Sequence, residues 1–314
     1  DDATGDYNLK LAILPGAFDT SGDNGSLTNG LEQAGSLPLG DHDLWNFSAQ
    51  RGDAIRLGVG ETDGIGFSPL VELFDPNGQR VAFDRGADRA SLGVIANLDG
   101  TYIAVVSESG KDAAGDYQVS LAITPLPFNS SDDNGSLTNG LEQTGNIDLG
   151  DFDLWSFSVE HGDAIRLGMG ETGGSGFSPL IELFDPNGRR IASDTGADSA
   201  AIATNAALAG TYVAIVSDSG QDSVGSYELS LAVVPRSFDT SGDNGTLTNG
   251  LEQTGAIDLG DFDLWSFDVS QGDSIYLGMG ETGGSGFSPQ IERFDPNGQC
   301  TWQHAAFSFS PACP

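Results

Sequence analysis

A long internal repeat constrains this chain more than any other feature. DNGSLTNGLEQ at Asp23 to Gln33 recurs at Asp133 to Gln143 and, as DNGTLTNGLEQ, at Asp243 to Gln253, a step of 110 residues. The same step relates Trp45, Trp155 and Trp265, and the turns Asp75-Pro76-Asn77-Gly78, Asp185-Pro186-Asn187-Gly188 and Asp295-Pro296-Asn297-Gly298. A unit of this length can bury a core of its own, so it is a whole domain rather than a rung of a solenoid.

Within a unit the apolar period is two. Trp155, Phe157 and Val159 share one strand face, and Ile165, Leu167 and Met169 share the next. Turn signals such as His161-Gly162-Asp163 and the Asp-Pro-Asn-Gly sequences separate the strands, because Pro presets φ and Gly accepts a left-handed conformation. No stretch has helical periodicity. The pattern predicts an all-β fold of tandem antiparallel β-sandwich, jelly-roll-like domains of about 110 residues per repeat. The Trp and Phe pairs on one strand face are expected in the core rather than as sugar-stacking platforms.

The expected organisation is 15–126 and 127–235 as complete sandwiches and 236–314 as a truncated third, with 1–14 as the last strand of a preceding unit. Residues 5–13 match 115–123, and the opening Asp1-Asp2-Ala3-Thr4 is expected to continue from upstream sequence. From Cys300 the third unit leaves the repeat, and its tail stands where four strands are expected. Two origins are open: a truncated or frame-shifted reading of a longer array, or a terminal cap closed by a disulfide between Cys300 and Cys313. The third unit is expected to be the least stable, or to borrow a strand from a neighbour.

Lys and Arg total 12 against 46 Asp and Glu, a net charge of −34, which disfavours nucleic acid and anionic membrane surfaces. No apolar run approaches the roughly 20 residues that span a bilayer. Histidine is scarce: His42 is replaced by Phe152 and Phe262, His161 by Arg51 and Gln271, and His304 lies in the tail. A repeated hydrolase triad is therefore excluded, and the chain is read as not an enzyme. Arg51-Gly52-Asp53 spells an adhesion tripeptide, but only Gly-Asp recurs, which fits a turn. The repeated Gly-Glu-Thr at Gly60, Gly170 and Gly280 has no following Lys-Ser/Thr and is read as a flexible inter-strand loop. Running on to Phe67-Ser68-Pro69 and Phe177-Ser178-Pro179, that loop is the favoured ligand-contacting edge.

The stretch GDFDLWSFSVEHGDAIRLGMG from Gly150 to Gly170, followed by PLIELFDPNGRRIA, GTYVAIVSDSG and GSYELSLAV, resembles the bacterial pre-peptidase C-terminal domain over nearly the whole unit. The resemblance implies a jelly-roll-like sandwich beside the catalytic domains of secreted hydrolases or in surface proteins, and hence an extracellular or bacterial cell-surface location. Related collagen-binding domains of clostridial collagenases bind calcium through an acidic segment and carboxylates before the first aromatic strand. The matching positions are Asp23, Asn24, Asp41 and Asp43; Asp133, Asn134, Asp151 and Asp153; and Asp243, Asn244, Asp261 and Asp263. The leading Glu residues of that segment are absent here, and the two later carboxylates are closer together. Read without the family, Asp19-Thr20-Ser21-Gly22-Asp23-Asn24-Gly25 and the loops Asp84 to Asp88 and Asp194 to Asp198 offer oxygen ligands, although Asx turns need no metal.

The resulting expectation is a non-catalytic extracellular accessory array for spacing, presentation or substrate attachment, with Ca2+ as candidate cofactor. Its partners would be neighbouring domains of a larger protein and an extracellular polysaccharide or protein ligand. The alternative is a carbohydrate- or protein-binding adhesin module, and the third reading a fragment of a secreted hydrolase whose catalytic domain lies elsewhere.

Overall fold

A computed structural model describes residues 4, 6–7, 9–64, 66–125, 127–130, 134–220, 222–284, 286 and 288–305. In the first unit the strands are β1 (Gly25–Ser26), β2 (Glu32–Leu37), β3 (His42–Ala49), β4 (Ala54–Gly64), β5 (Pro69–Phe74), β6 (Arg80–Arg85), β7 (Arg89–Ile95), β8 (Gly100–Glu108) and β9 (Gly115–Thr124). One sheet runs β1-β3-β8-β5-β6 and the other β2-β9-β4-β7. All pairings are antiparallel except that of β1 with β3. The second unit repeats the arrangement with β10 (Gly135–Ser136), β11 (Gln143–Ile147), β12 (Asp153–Val159), β13 (Ala164–Gly174), β14 (Pro179–Phe184), β15 (Arg190–Thr195), β16 (Ser199–Asn205), β17 (Gly210–Asp218) and β18 (Gly225–Val234). Its sheets run β10-β12-β17-β14-β15 and β11-β18-β13-β16.

The core lies between the two sheets of each unit. Trp45, Phe47, Val71 and Tyr102 of one sheet meet Leu57, Val59, Tyr117 and Leu121 of the other, all buried. Trp155, Phe157, Ile181 and Tyr212 meet Leu167, Met169, Tyr227 and Leu231 in the second unit. Burying each large apolar side chain is worth about 2 kcal/mol. The all-β sandwich expected from the alternation is therefore the fold of the first two units, and Trp45 and Trp155 are core residues, whereas Trp265 of the third unit is only half-buried. The Asp-Pro-Asn-Gly turns form as the sequence requires: Gly78 has φ 77°, and the buried Asp75 accepts from the Asn77 and Gln79 amides.

Three regions depart from the sequence expectation. Gly60 to Gly64 and Gly170 to Gly174 are not loop but the far ends of β4 and β13, paired to β9 and β18 across a bulge after Glu61 and Glu171. A bulge restores the ladder after an odd residue, which side-chain period alone does not reveal. Phe67 and Phe177, on the predicted ligand edge, are buried in the cores. Residues 9–13 form no strand; their segment has no partner sheet among the described residues.

In the third unit the described strands are β19 (Gly245–Thr246), β20 (Trp265–Ser266), β21 (Gln290–Phe294) and β22 (Cys300–Ala305). The last pair is a hairpin with Phe294 opposite Cys300, the register that Phe74 and Phe184 hold with Arg80 and Arg190. The first of the four strands expected to be replaced by the tail is thus formed by the tail itself, because a hairpin needs its turn and its alternation rather than particular side chains. Cys300 is disulfide-bonded, and Cys313 lies outside the described residues. Residues 251–264 and 267–284 form no strand, and Val269 and Met279 are exposed where their first- and second-unit counterparts are buried. Among the described residues no counterpart of β8 or β9, which lie inside their sheets in the first unit, stands beside these segments.

Candidate functional site

Of the twelve residues singled out from the sequence, the eleven described ones gather where each aromatic strand begins, and at this place consecutive units meet. Asn24 Oδ1 accepts from the Leu44 amide at 2.7 Å, and Asp23 Oδ2 from the Ser36 amide at 3.2 Å. Asp41 Oδ1 accepts from the His42 amide at 2.8 Å and lies 2.8 Å from Lys10 Nζ. The buried Asp43 accepts from Lys10 at 3.1 Å and from the Tyr117 hydroxyl at 2.8 Å, and that hydroxyl accepts from Trp45 Nε1 at 2.8 Å.

The second unit repeats the construction. Asn134 Oδ1 accepts from the Leu154 amide, Asp151 Oδ1 from the Phe152 amide at 2.6 Å and the Ser120 hydroxyl at 3.1 Å, and Asp153 Oδ2 from Tyr227 at 2.7 Å, with Trp155 Nε1 donating to Tyr227. Asp133 lies outside the described residues. In the third unit Asp243, Asn244 and Asp261 accept from the amides of Ala256, Leu264 and Phe262, and Asp261 also from the Ser230 hydroxyl.

Burial governs the electrostatics. It raises the Tyr117 hydroxyl, with the Asp43 charge adding to the effect, so this tyrosine stays protonated and donates. Asp151 is pushed up to about 6 by burial. In the third unit Asp261 rises to about 6 through burial and Glu142, and Asp263 to about 7 through burial and then Asp261, Asp243 and Glu142. The oxygen donors are of the kind calcium takes. Among the described residues, however, no group of three or more His, Cys, Asp or Glu is arranged to hold a metal ion, and the oxygens described above accept from protein donors. The described geometry is that of a hydrogen-bond clamp.

Sequence reasoning missed the rest of the junction. Ala54 and Ala122, on the outer face of the first unit's β2-β9-β4-β7 sheet, pack with Phe152, Leu154, Phe184, Val213 and Ile215 on the outer face of the second unit. The backbones touch: a Cβ on Gly58 would overlap the Gly150 carbonyl and one on Gly60 the Leu149 carbonyl, and Gly168 and Gly170 stand likewise against Gly260 and Leu259. Asn29 spans the linker, accepting from the Ile123 amide and donating to the Ile123 and Pro127 carbonyls, and Asn139 does the same with Val233 and Ser237. Asn134 Nδ2 donates back to Gly30 O at 2.8 Å, and Asn244 to Gly140 O at 2.6 Å. Arg56 donates twice to Glu182, at 3.1 and 2.9 Å, and its guanidinium lies 5.9 Å from the Phe184 ring centre. The recurring TNG and LGxG sequences were the available signal; their partners, a unit away, were not.

Fold and junction define a class: tandem antiparallel β-sandwiches stacked face to face, each complete unit holding a buried Trp–Tyr–Asp hydrogen-bond chain. No family model matches the chain, and no curated protein does. Among solved structures the chain is similar to the pre-peptidase C-terminal domain of a collagenase from Bacillus anthracis, at 19% identity over 33% of this chain and 99% of that one, with a TM-score of 0.28. It is also similar to a periplasmic inhibitor of g-type lysozyme from Aeromonas hydrophila (12% identity, 32% and 96% covered, TM-score 0.27). A third is the N-terminal CBM22 tandem of Paenibacillus barcinonensis Xyn10C (10% identity, 60% and 81% covered, TM-score 0.21). The fold assignment rests on the sheets and their registers.

Proposed function

We propose that the chain is a non-catalytic accessory array that spaces, presents or attaches neighbouring domains of a larger protein outside the bacterial cell, with units at 15–126, 127–235 and 236–314. The supporting observation is the junction: glycine-to-carbonyl contact, asparagine clamp and Arg–Glu pair recur between the first and second units and again between the second and third. A flexible linker would only tether domains, whereas this contact holds one sandwich against the next and sets their spacing. Small-angle scattering of the chain tests this; a profile requiring independently tumbling units would overturn it.

Attachment to an extracellular polysaccharide or protein is the second half of the proposal. Retention on immobilised polysaccharide or collagen would favour a binding module over a spacer, and free passage at micromolar protein would favour the spacer. Calcium belongs to the proposal through the donor chemistry of Asp23, Asn24, Asp41, Asp43 and their counterparts. Extracellular calcium modules bind at about 10⁻⁴ to 10⁻³ M, so millimolar calcium after EDTA treatment would raise the unfolding temperature. No shift would leave the clamp purely protein-bonded.

A further inference from the structure

Segment 6–13 and the third unit carry complementary halves of one sandwich. In β9 the residues Tyr117, Val119, Leu121 and Ile123 face the core, and all are buried. Their counterparts Tyr7, Leu9, Leu11 and Ile13 are 85, 89, 77 and 71% exposed. The third unit has no described strand between 252–257 and 274–284, where β9 and β18 sit in the first two units, and Met279 is exposed. Gly35 and Gly145 lie under the rings of Tyr117 and Tyr227, whereas beside Gly255 a Cβ would meet only Asp263 and Asp243.

The stacking surfaces are unfilled in the same way. Leu149–Gly150 and Leu259–Gly260 each press on a glycine pair of the preceding unit. The first unit's Gly40 and the third unit's Gly278 and Gly280 have nothing within 4 Å of a built Cβ, and Leu39 is exposed.

We propose that a second copy of this chain fills both: segment 6–13 of one molecule enters the third unit of another, antiparallel to 252–257 and 274–284, and Leu39–Gly40 of the first then stacks on Gly278 and Gly280 of the second. The register of β9 with its neighbours puts Leu9 opposite Met279 and Gln253, Tyr7 opposite Gly255, and Lys10 opposite Glu252. Tyr7 stands where Tyr117 and Tyr227 bond Asp43 and Asp153, so its hydroxyl would donate to Asp263. Lys10, already 2.8 Å from Asp41, would stand between that carboxylate and Glu252. Backbone pairing supplies the attraction, as in strand addition to an exposed sheet, and the alternating apolar face supplies the register. The contact joins unlike ends, so it propagates head to tail into chains or closes as rings. Tyr276 occupies the place of Arg56 and Arg166, so this junction lacks their ion pair to glutamate.

The test is sedimentation of the full chain across about 1 to 100 μM, which reads any association with a micromolar or tighter dissociation constant. Mass should climb above 32.5 kDa with concentration. The double variant L9D and L11D, altered at exposed positions, should stay monomeric. Mixing Leu9→Cys with Met279→Cys under oxidation should give a covalent dimer that Leu9→Cys with Val269→Cys, and the unaltered chain, do not. A constant mass, association unchanged in the double variant, or equal crosslinking of the two mixtures would each overturn the proposal.

Discussion

Arg166 of the second unit donates from Nε to Glu292 of the third at 2.8 Å across 126 residues of sequence, the separation that also relates Arg56 to Glu182. Glu292 and Glu182 sit on β21 and β14, strands that face the preceding unit, and Phe294 and Phe184 lie beside the two guanidinium groups. The pair is thus a property of the junction, repeated once per unit step.

Replacing Arg56 by Met should weaken the first junction by about 2 kcal/mol, the scale of a hydrogen bond to a charged group. Burial acts to raise the Glu182 carboxyl, but Arg56 and then Arg190 hold it below its ordinary 4.5. A carboxylate lowered in the folded state contributes stability above its unfolded value and loses it as pH falls through the folded one. Urea unfolding of the native protein should therefore show junction stability falling below pH 4.5, while the Arg56→Met variant lacks that contribution already at neutral pH.

The glycines make a sharper contrast. Gly58→Ala and Gly168→Ala drive a methyl into a facing carbonyl and should cost about 1–3 kcal/mol, as overpacking does. Gly278→Ala meets open space and should change monomer stability by less than about 0.5 kcal/mol. Equal effects at Gly58 and Gly278 in denaturant titrations of dilute protein would contradict the stacked junction.

Within the core, Tyr117→Phe removes the donor to Asp43 and the acceptor of Trp45 Nε1 together. Asp43 keeps Lys10 but the buried Trp45 Nε1 is left without a partner, which costs about 1–3 kcal/mol, so the first unit should lose that much, read as a lower urea midpoint. A neutral substitution would mean that water replaces the hydroxyl.

The third unit should titrate in the opposite sense to Glu182. Asp261 and Asp263 are raised to about 6 and about 7 by burial and their carboxylate neighbours, so the folded state holds more protons than the unfolded one from about pH 4 to 7. Stability must then fall as pH rises across that window and level off above it. Calorimetry should place the lowest-temperature transition higher at pH 5 than at pH 8, and Asp263→Asn should reduce the difference.

The all-β class, the unit length, the turns and the core tryptophans were legible because each depends on residues close in sequence or on an exact internal repeat. The grouping of Asp23, Asn24, Asp41 and Asp43 came only through the resemblance to the collagen-binding domains. Their bonding partners were not legible, since Tyr117 comes 74 residues after Asp43 and Ser120 belongs to the unit before Asp151.

The alternation of β9 shows one apolar face, Tyr117 to Ile123, and that much of the sandwich follows from the chain's own period of two. That Ser120, Ala122 and Thr124 on its other face are also buried was decided only by stacking on the next unit. Small residues and glycine carry little hydrophobic signal, yet they let two backbones meet, and whether they do depends on what lies opposite. The same cause separates Gly170 from Gly280: both stand in the sequence LGMGETGGSG, but a neighbouring unit lies against one and open space against the other.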